Sequence, residues 1–533
     1  MSAIGERPPT LASSAMVSSS HPAASLAGVR VLLDGGNAVD ATLAMAAATW
    51  TTLPGQCGIG GDAFAVVREP DGRVWTVNGS GPGPDGGTVE FYRGRGLSAI
   101  PTDGPLAVAV PGAPAALAAL HRHGGTRDLA ELWEPAARLA ERGIPCSAKT
   151  SEDVAAALGA VRTDPGLAAV FTAHGAPLPV GDRIGQVELA ATIRRLAADP
   201  GWFYTGGFAE RAVDALRRGG APFSGDEWAA GAQLTPEAAV TGRYAGAVVH
   251  QTPLPTPGWM VLHQAALCDA AVGFHPWLSA PAIDRMARAA AVAFADRLAW
   301  CGSQNDGAGQ VLAADRIEAQ RRDLDERSVP RARIDVRAGD TTSTVCVDAD
   351  GRAVSFIHSL GFTFGARTTV PGTGVVLNNR LGRGAYLQPG HPNAVMPRRR
   401  PLHTLNAWIV TDTAGALLHV GNTPGGDGQV QWNMQMLSHL IDHGLDPAET
   451  VSAPRFTVFP GSDADVLDAD PELRVEASIS PAVRDGLTAA GHRVVVQPPL
   501  GAGGSAQIIS VDERGVLSGA ADPRQEGIAL GVD

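Results

Sequence analysis

The chain has 533 residues, 44% of them apolar and 18% charged, and is therefore globular and long enough for two to four domains or one large α/β unit. Its net charge of −12 excludes a polyanion such as nucleic acid as the expected partner, and its densest basic tract, Arg398-Arg399-Arg400, is short. Five scattered cysteines (Cys57, Cys146, Cys268, Cys301, Cys346) lack CxxC spacing, which argues against a disulfide framework or zinc site and favours a reducing interior.

The first residues include Glu6, Arg7 and two prolines and no secretory apolar run, so a cytoplasmic location is expected. No membrane span is expected, because nowhere do about 18 apolar residues run uninterrupted. Helical spacing over 23–33 ends at Gly35-Gly36, and Asn37 caps a second, alanine-rich helix from Ala38 to about Thr51. His21, beside Pro22 at a helix start, reads better as a hydrogen-bonded structural histidine than as a site. The glycine cluster Gly58-Ile59-Gly60-Gly61-Asp62 lacks the third glycine of a dinucleotide loop and runs into a strand, 63–67, where a helix should follow. A second strand, 74–77, ends at the polar loop Asn78-Gly79-Ser80. From Pro111 to about residue 300 the pattern is mostly helical, with segments at 113–123, 129–142, 151–158, 187–197, 208–218 and 282–298. Residues 302–340 are polar and read as an exposed linker.

Residues 342–348 are rich in β-branched types, and Asp350-Gly351 turns the chain into a returning strand, 352–357. Such a hairpin holds Thr341 at its leading end. If the Asp340–Thr341 peptide bond were cut, the threonine would carry both a hydroxyl nucleophile and a free α-amine of ordinary pKa about 7.7–8.0 to take its proton. These residues alone also fit an ordinary strand start. Further on, 374–377 reads as a strand entering a loop. Another strand, 416–420, delivers the chain to Gly425-Gly426 at the start of a helix spanning about 429–443. Two such glycines can point N–H groups at an oxyanion or form a plain turn.

Ten segments occur in the order found in γ-glutamyltransferases. They are Met16-Val17-Ser18-Ser19-Ser20-His21-Pro22, Gly35-Gly36-Asn37-Ala38-Val39-Asp40-Ala41, Gly58-Ile59-Gly60-Gly61, Val110-Pro111-Gly112, Trp133-Glu134-Pro135-Ala136, Phe203-Tyr204-Thr205-Gly206, Ala295-Asp296-Arg297, Leu377-Asn378-Asn379, Arg400-Pro401-Leu402 and Thr423-Pro424-Gly425-Gly426. The chain thus resembles that family over about residues 16–530. The resemblance implies an α/β (α+β), four-layer αββα N-terminal-nucleophile hydrolase made from one proenzyme. Self-cleavage between Asp340 and Thr341 would give a helix-rich large chain, 1–340, and a small chain, 341–533. The two would stay associated, as a single pair or as a dimer of such pairs. Thr341 is the implied nucleophile, Ser359 its supporting hydroxyl in place of the family threonine, and Gly425 and Gly426 the oxyanion donors. No cofactor or metal is implied, nor any membrane or nucleic-acid partner.

The substrate-anchoring positions depart from the family pattern. Asn78 stands for an arginine and His403-Thr404 for a Ser-Ser pair, both of which hold the α-carboxylate of a γ-glutamyl group in the family. Arg380 and Arg383 replace the Gln and Asp that receive its α-ammonium, and Gly361 replaces an Asn. Two arginines near the pocket favour a carboxylate without an adjacent amine, unless they face solvent. The expected activity is hydrolysis of a small carboxylate-bearing amide, or transfer of its acyl group. It is nominally glutathione-type γ-glutamyl hydrolysis, with oxamate-type amides and acylated side chains as alternatives. A catalytically silent binding homologue is the alternative of another class.

Overall fold

The computed structural model describes residues 7–303, 307–326, 341–459 and 471–533. Two seven-stranded antiparallel sheets form its centre. The first runs Ile528–Val532, Ala15–Ser19, Thr342–Val347, Ala353–Ser359, Asp62–Arg68, Val74–Gly79, Glu237–Ala238 in spatial order. The second runs Thr10–Ala12, Leu517–Ala521, Gln507–Val511, Leu417–Asn422, Trp408–Thr411, Ala247–Gln251, Val240–Tyr244. Each sheet draws strands from both sides of residue 341, so neither side could keep a complete sheet alone.

The sheets pack face to face through Met16, Phe64, Val66, Val345, Ile357, Ile409, Val420 and Ile509. On the outer face of the first sheet lie the helices Ala38–Thr52, Ala113–Gly124 and Leu129–Arg142. Gly258–Cys268, Ala280–Trp300 and Gly428–Ile441 cover the second. The result is a four-layer αββα sandwich. Because both faces of the central strands are covered, Asp62–Arg68, Thr342–Val347 and Ala353–Ser359 are buried at every position and show no alternation of apolar and polar residues.

Local chemistry fixes the elements that matter to the site. Asp348 closes the hairpin, its Oδ1 accepting the N–H groups of Asp350 and Arg352 at 3.1 and 2.9 Å. Its Oδ2 accepts Ala38 N–H at 2.9 Å, tying the turn to the start of the fully buried helix Ala38–Thr52. Asn37 and Asp40 cap that helix reciprocally. His21 is the N-cap of Pro22–Leu33, with Nδ1 accepting Ala23 N–H at 3.1 Å, which is the structural role expected of it.

Several expectations need correction. The region 111–300 is mostly helical, as expected, but it also contains an unexpected hairpin, Val240–Tyr244 and Ala247–Gln251. The alternating burial of those strands and their Ala245-Gly246 turn are short-period signals that the surrounding helical spacing masks. The described part of 302–340 is not an exposed linker: it folds as Gly307–Val311 and Ala314–Asp325, with Ile317 and Leu324 buried on a helix that carries seven charged residues. The helix expected at 151–158 starts earlier, at Ala148, where Ser147 caps it. Only Val375–Val376 is strand in 374–377. Among the described residues no helix is long and apolar enough to cross a membrane.

If the inter-sheet layer is the main core, Ile357→Ala should cost about 2–5 kcal/mol in denaturant unfolding. Leu33→Ala, at a position 66% exposed, should cost less than about 0.5 kcal/mol. Equal losses from the two substitutions would place the core elsewhere.

Candidate active site

Three neighbouring strands align a row of polar residues at one end of the first sheet. The register pairs Thr342 with His358 and Ser359 with Asp62, so Thr341, Ser359 and Asp62 lie side by side. Thr341 is 2% exposed, and its Oγ1 donates to Ser359 Oγ at 3.1 Å. Ser359 Oγ also accepts Gly361 N–H at 2.9 Å. The backbone after Thr341 is clamped from two sides: Ser343 N–H donates to Ser20 Oγ at 3.1 Å, and Ser343 Oγ donates to Asn422 O at 3.3 Å. Asp340, the residue before the nucleophile candidate, lies outside the described residues.

Asn422 ends the strand of the second sheet that leads to the glycine loop. Its Nδ2 donates to Ser355 Oγ and Phe356 O at 2.9 and 3.0 Å, which fastens that strand end over the hairpin of Thr341. Gly425 follows with φ of +131°, and a Cβ there would sit 1.9 Å from the Trp432 ring. Neither the Gly425 nor the Gly426 N–H is taken by an acceptor among the described residues. The helix Gly428–Ile441 begins directly after the loop. Trp432, which backs it, donates from Nε1 to Thr457 Oγ1 at 2.9 Å and lies under the Arg455 guanidinium at 5.1 Å.

The expected substrate-anchoring positions gather around this row, though they are not equivalent. Asn78 is buried and donates from Nδ2 to Leu254 O at 2.8 Å, while His403 N–H donates to the adjacent Pro255 O at 3.1 Å. The His403 ring packs edgewise on Phe64, 4.8 Å between centroids. Burial and the nearby Arg380 and Arg297 hold this imidazole well below its ordinary pKa, so it is neutral. Thr404, next along, is 4% exposed. Gly361 has φ of +108°, and a Cβ there would lie 2.1 Å from Asn379 Oδ1, an atom that accepts Phe362 N–H at 3.1 Å. A side chain at 361 is therefore excluded by Asn379.

Neither arginine faces solvent, and they do different things. Arg380 is fully buried, and its Nε donates to Asp62 Oδ2 at 3.1 Å. Burial pushes the Asp62 carboxyl up to about 6, opposed by Arg380 and by the N–H groups of Gly112 and Gly81. Arg383 is 5% exposed, with Nη1 donating to Gly361 O at 3.4 Å and its guanidinium 4.5 Å from the centre of the Phe362 ring. It lines a cavity of about 290 Å³ with residues 96–102, Phe362 and Gly382. A larger apolar cavity, about 720 Å³, is walled by Trp50, Ile59, Phe171, Val376 and Leu360, which follows Ser359 in the chain.

Sequence reasoning missed Asp62, Arg297 and Trp432 as parts of the site. Arg297 joins its two halves, donating to Asp427 Oδ1 at 2.9 Å and to His403 O at 2.8 Å from the long helix Ala280–Trp300. A charged residue on a buried helix face, or an aspartate opening an apolar strand, is the signal that was available. The five cysteines are buried and unpaired, and burial pushes Cys57, Cys268 and Cys301 up to about 12, which disqualifies those three as thiolate nucleophiles. Among the described residues no group of three His, Cys, Asp or Glu side chains is placed to hold a metal ion.

Comparison with known proteins bears on the fold and the family. The glutathione hydrolase-like YwrD proenzyme of Bacillus subtilis is 33% identical, over 97% of this chain and 98% of its own. The oxamate amidohydrolase proenzyme of Klebsiella pneumoniae is 31% identical, over 96% and 97%. The crystal structure of cephalosporin acylase from Bacillus halodurans superposes with a TM-score of 0.89 at 28% identity, covering 100% of this chain and 98% of that one. Neighbours of this kind are N-terminal-nucleophile hydrolases, and the chain is accordingly an amide-bond hydrolase or acyltransferase of that fold. The sequence profile described as Gamma-glutamyltranspeptidase matches residues 24–532, and the chain belongs to that family.

Proposed function

We propose that the protein is an autoprocessing threonine amidohydrolase acting on a small amide that bears a carboxylate. One observation carries the reading: Thr341 Oγ1 is hydrogen-bonded to Ser359 at the head of a central strand, beside a strand end that leads to two glycine N–H groups without acceptors among the described residues. Cutting before Thr341 would free its α-amine, which takes the Oγ1 proton as that oxygen adds to the amide carbon. The carbonyl oxygen becomes an oxyanion, received by the Gly425 and Gly426 N–H groups. Collapse breaks the C–N bond, the proton passes to the departing amine, and the acyl group remains as an ester on Thr341. Water or an acceptor amine then releases it. The two chains would stay together because each sheet contains strands of both.

For the acyl group, the departures at Asn78, Arg380, Arg383, His403 and Thr404 favour a carboxylate without an α-amine over a γ-glutamyl group. Relatives named as an oxamate amidohydrolase and as acylases make such amides reasonable substrates to test. A silent binding homologue would not need to keep Thr341, Ser359 and both glycines in this arrangement.

A denaturing gel of the purified protein should show bands at about 35 and 20 kDa, scaling 54.7 kDa by 340/533 and 193/533. Thr341→Ala should leave one band and no hydrolysis, and two bands from that variant would move the nucleophile elsewhere. Gly425→Ala should lower kcat by about a hundredfold or more, since the added methyl meets Trp432 and displaces the oxyanion donors. An unchanged kcat would remove this loop from the mechanism. Among anilides, the glutaryl compound should be turned over faster than the γ-glutamyl one, which differs by a single α-amine; the reverse order would return the protein to glutathione-type chemistry.

A further inference from the structure

Thr341 has two flanks, and the positions expected to anchor the acyl group all lie on one of them. On that side its strand, Thr342–Val347, is followed by Ala353–Ser359, Asp62–Arg68 and Val74–Gly79. Gly361 lies just beyond Ser359, Arg380 and His403 face Asp62, and Asn78 stands near the end of the fourth strand. An amide is planar and carries its acyl carbon and its nitrogen on opposite sides of the carbonyl carbon. An acyl group laid along this flank therefore sends the departing amine to the other.

The other flank is built from the end of Ala15–Ser19 and from the loop that precedes Gln507–Val511 in the second sheet. Ser20 N–H donates to Ser343 O at 3.2 Å, and Ser505 Oγ donates to Ser20 Oγ at 3.3 Å, so the loop is joined to the backbone just after Thr341. It also reaches the oxyanion loop. A Cβ on Gly504 would lie 3.0 Å from Cζ3 of Trp432, and one on Gly425 would lie 1.9 Å from the same ring atom. The two glycine loops thus meet against one edge of one indole.

The loop Gly501-Ala502-Gly503-Gly504-Ser505 is fastened from behind. Ala502 N–H donates to Glu476 Oε1 at 3.0 Å, and the Arg455 guanidinium donates to Gly503 O. The charges that hold it pair with one another: Arg455 with Asp522, and Arg524 with Asp522 and Glu476. The next three N–H groups, of Gly503, Gly504 and Ser505, have no acceptor among the described residues. Gly503 and Gly504 have φ of +84° and +88°, a left-handed stretch in which successive N–H groups can converge on one oxygen. Gly503 is exposed, and a Cβ there would meet nothing within 4 Å. Neutral donors backed by balanced charges suit a carbonyl oxygen.

We propose that Gly503, Gly504 and Ser505 form the subsite for the departing amine. Their N–H groups select an amine that carries a carbonyl one carbon from its nitrogen, as amino-acid amides do, over a plain alkyl or aryl amine. The proposal deepens the amidohydrolase reading and rests on it.

The test uses the processed protein and two pairs of substrates: the monoamides of glutarate, and the γ-amides of glutamate, each made with glycinamide and with isobutylamine. Isobutylamine matches glycinamide in outline and lacks its carbonyl. For whichever acyl group is cleaved, KM for the glycinamide compound should be about fivefold or more below that for the isobutylamide, as one hydrogen bond provides. An isobutylamide that is cleaved too slowly is measured as a competitive inhibitor. Gly503→Asp tolerates the left-handed backbone and places a competing acceptor beside the N–H groups, so it should shrink the difference to within about twofold. Gly515→Asp makes the same exchange at φ of +80° beyond the far end of Gln507–Val511 and should retain the difference. Equal KM values in the wild type overturn the proposal. So do a difference that survives Gly503→Asp, one that Gly515→Asp also abolishes, and cleavage of anilides with neither alkylamide accepted. A processed protein that cleaves no amide, the anilides included, sinks the amidohydrolase reading and this subsite with it.

Discussion

The register of four antiparallel strands is the constraint on which the site depends. Thr342–Val347 is paired on one side with Ala15–Ser19 and on the other with Ala353–Ser359, which itself pairs with Asp62–Arg68. A slip of one residue in any of these ladders would send Thr341, Ser359 or Asp62 to the opposite face. Burial of both faces opposes such a slip, because every side chain in these strands has its own packing partners. The placement of the Thr341 hydroxyl is thus a property of the sheet, and the hydrogen bond to Ser359 is a cross-strand contact of the kind neighbouring strands make at about 5 Å between Cβ atoms.

The second sheet supplies the other half. Asn422 binds it to the hairpin, and the glycine loop hangs from that strand with Trp432 behind it. Against Trp432 lies a buried set of charges: Arg455 pairs with Asp522, and Arg524 bridges Asp522 and Glu476. Arg297 does similar work between Asp427 and His403. Buried ion pairs add little net stability compared with apolar packing of the same volume, because desolvation offsets most of the attraction. Their effect here is geometric: Arg297 ties Asp427 to the His403 backbone, and Arg524 ties Asp522 to Glu476.

The parts of this arrangement that were legible in the sequence are those carried by local patterns. The β-branched run after Thr341, the Asn37 cap and the spacing of Leu129–Arg142 each state their structure within about a dozen residues, and the observed elements match them closely. The hairpin Val240–Tyr244 and Ala247–Gln251 was also locally encoded, but it is short and set among helices. Ile317 and Leu324 were hidden differently, as two apolar residues on a helix otherwise written in charges. Arg380 and Arg383 were visible as departures from a family pattern, yet their difference in environment was not. The partner of Arg380, Asp62, is 318 positions away from it.

That separation explains why the reaction type can be read more easily than the substrate. The proposed nucleophile and its hydroxyl partner each act through a side-chain atom that their own residue type supplies, so the type alone is informative. A charged wall residue is informative only as part of a sum. An arginine placed in a buried wall demands an anion in the same wall. The substrate then meets the net charge of the pair, whatever either residue suggests alone. Two arginines one helical turn apart, Arg380 and Arg383, accordingly sit in different surroundings: one is fully buried against Asp62 and the other, 5% exposed, borders a small cavity. Selectivity in such a pocket follows from how its own charges are balanced before any substrate arrives.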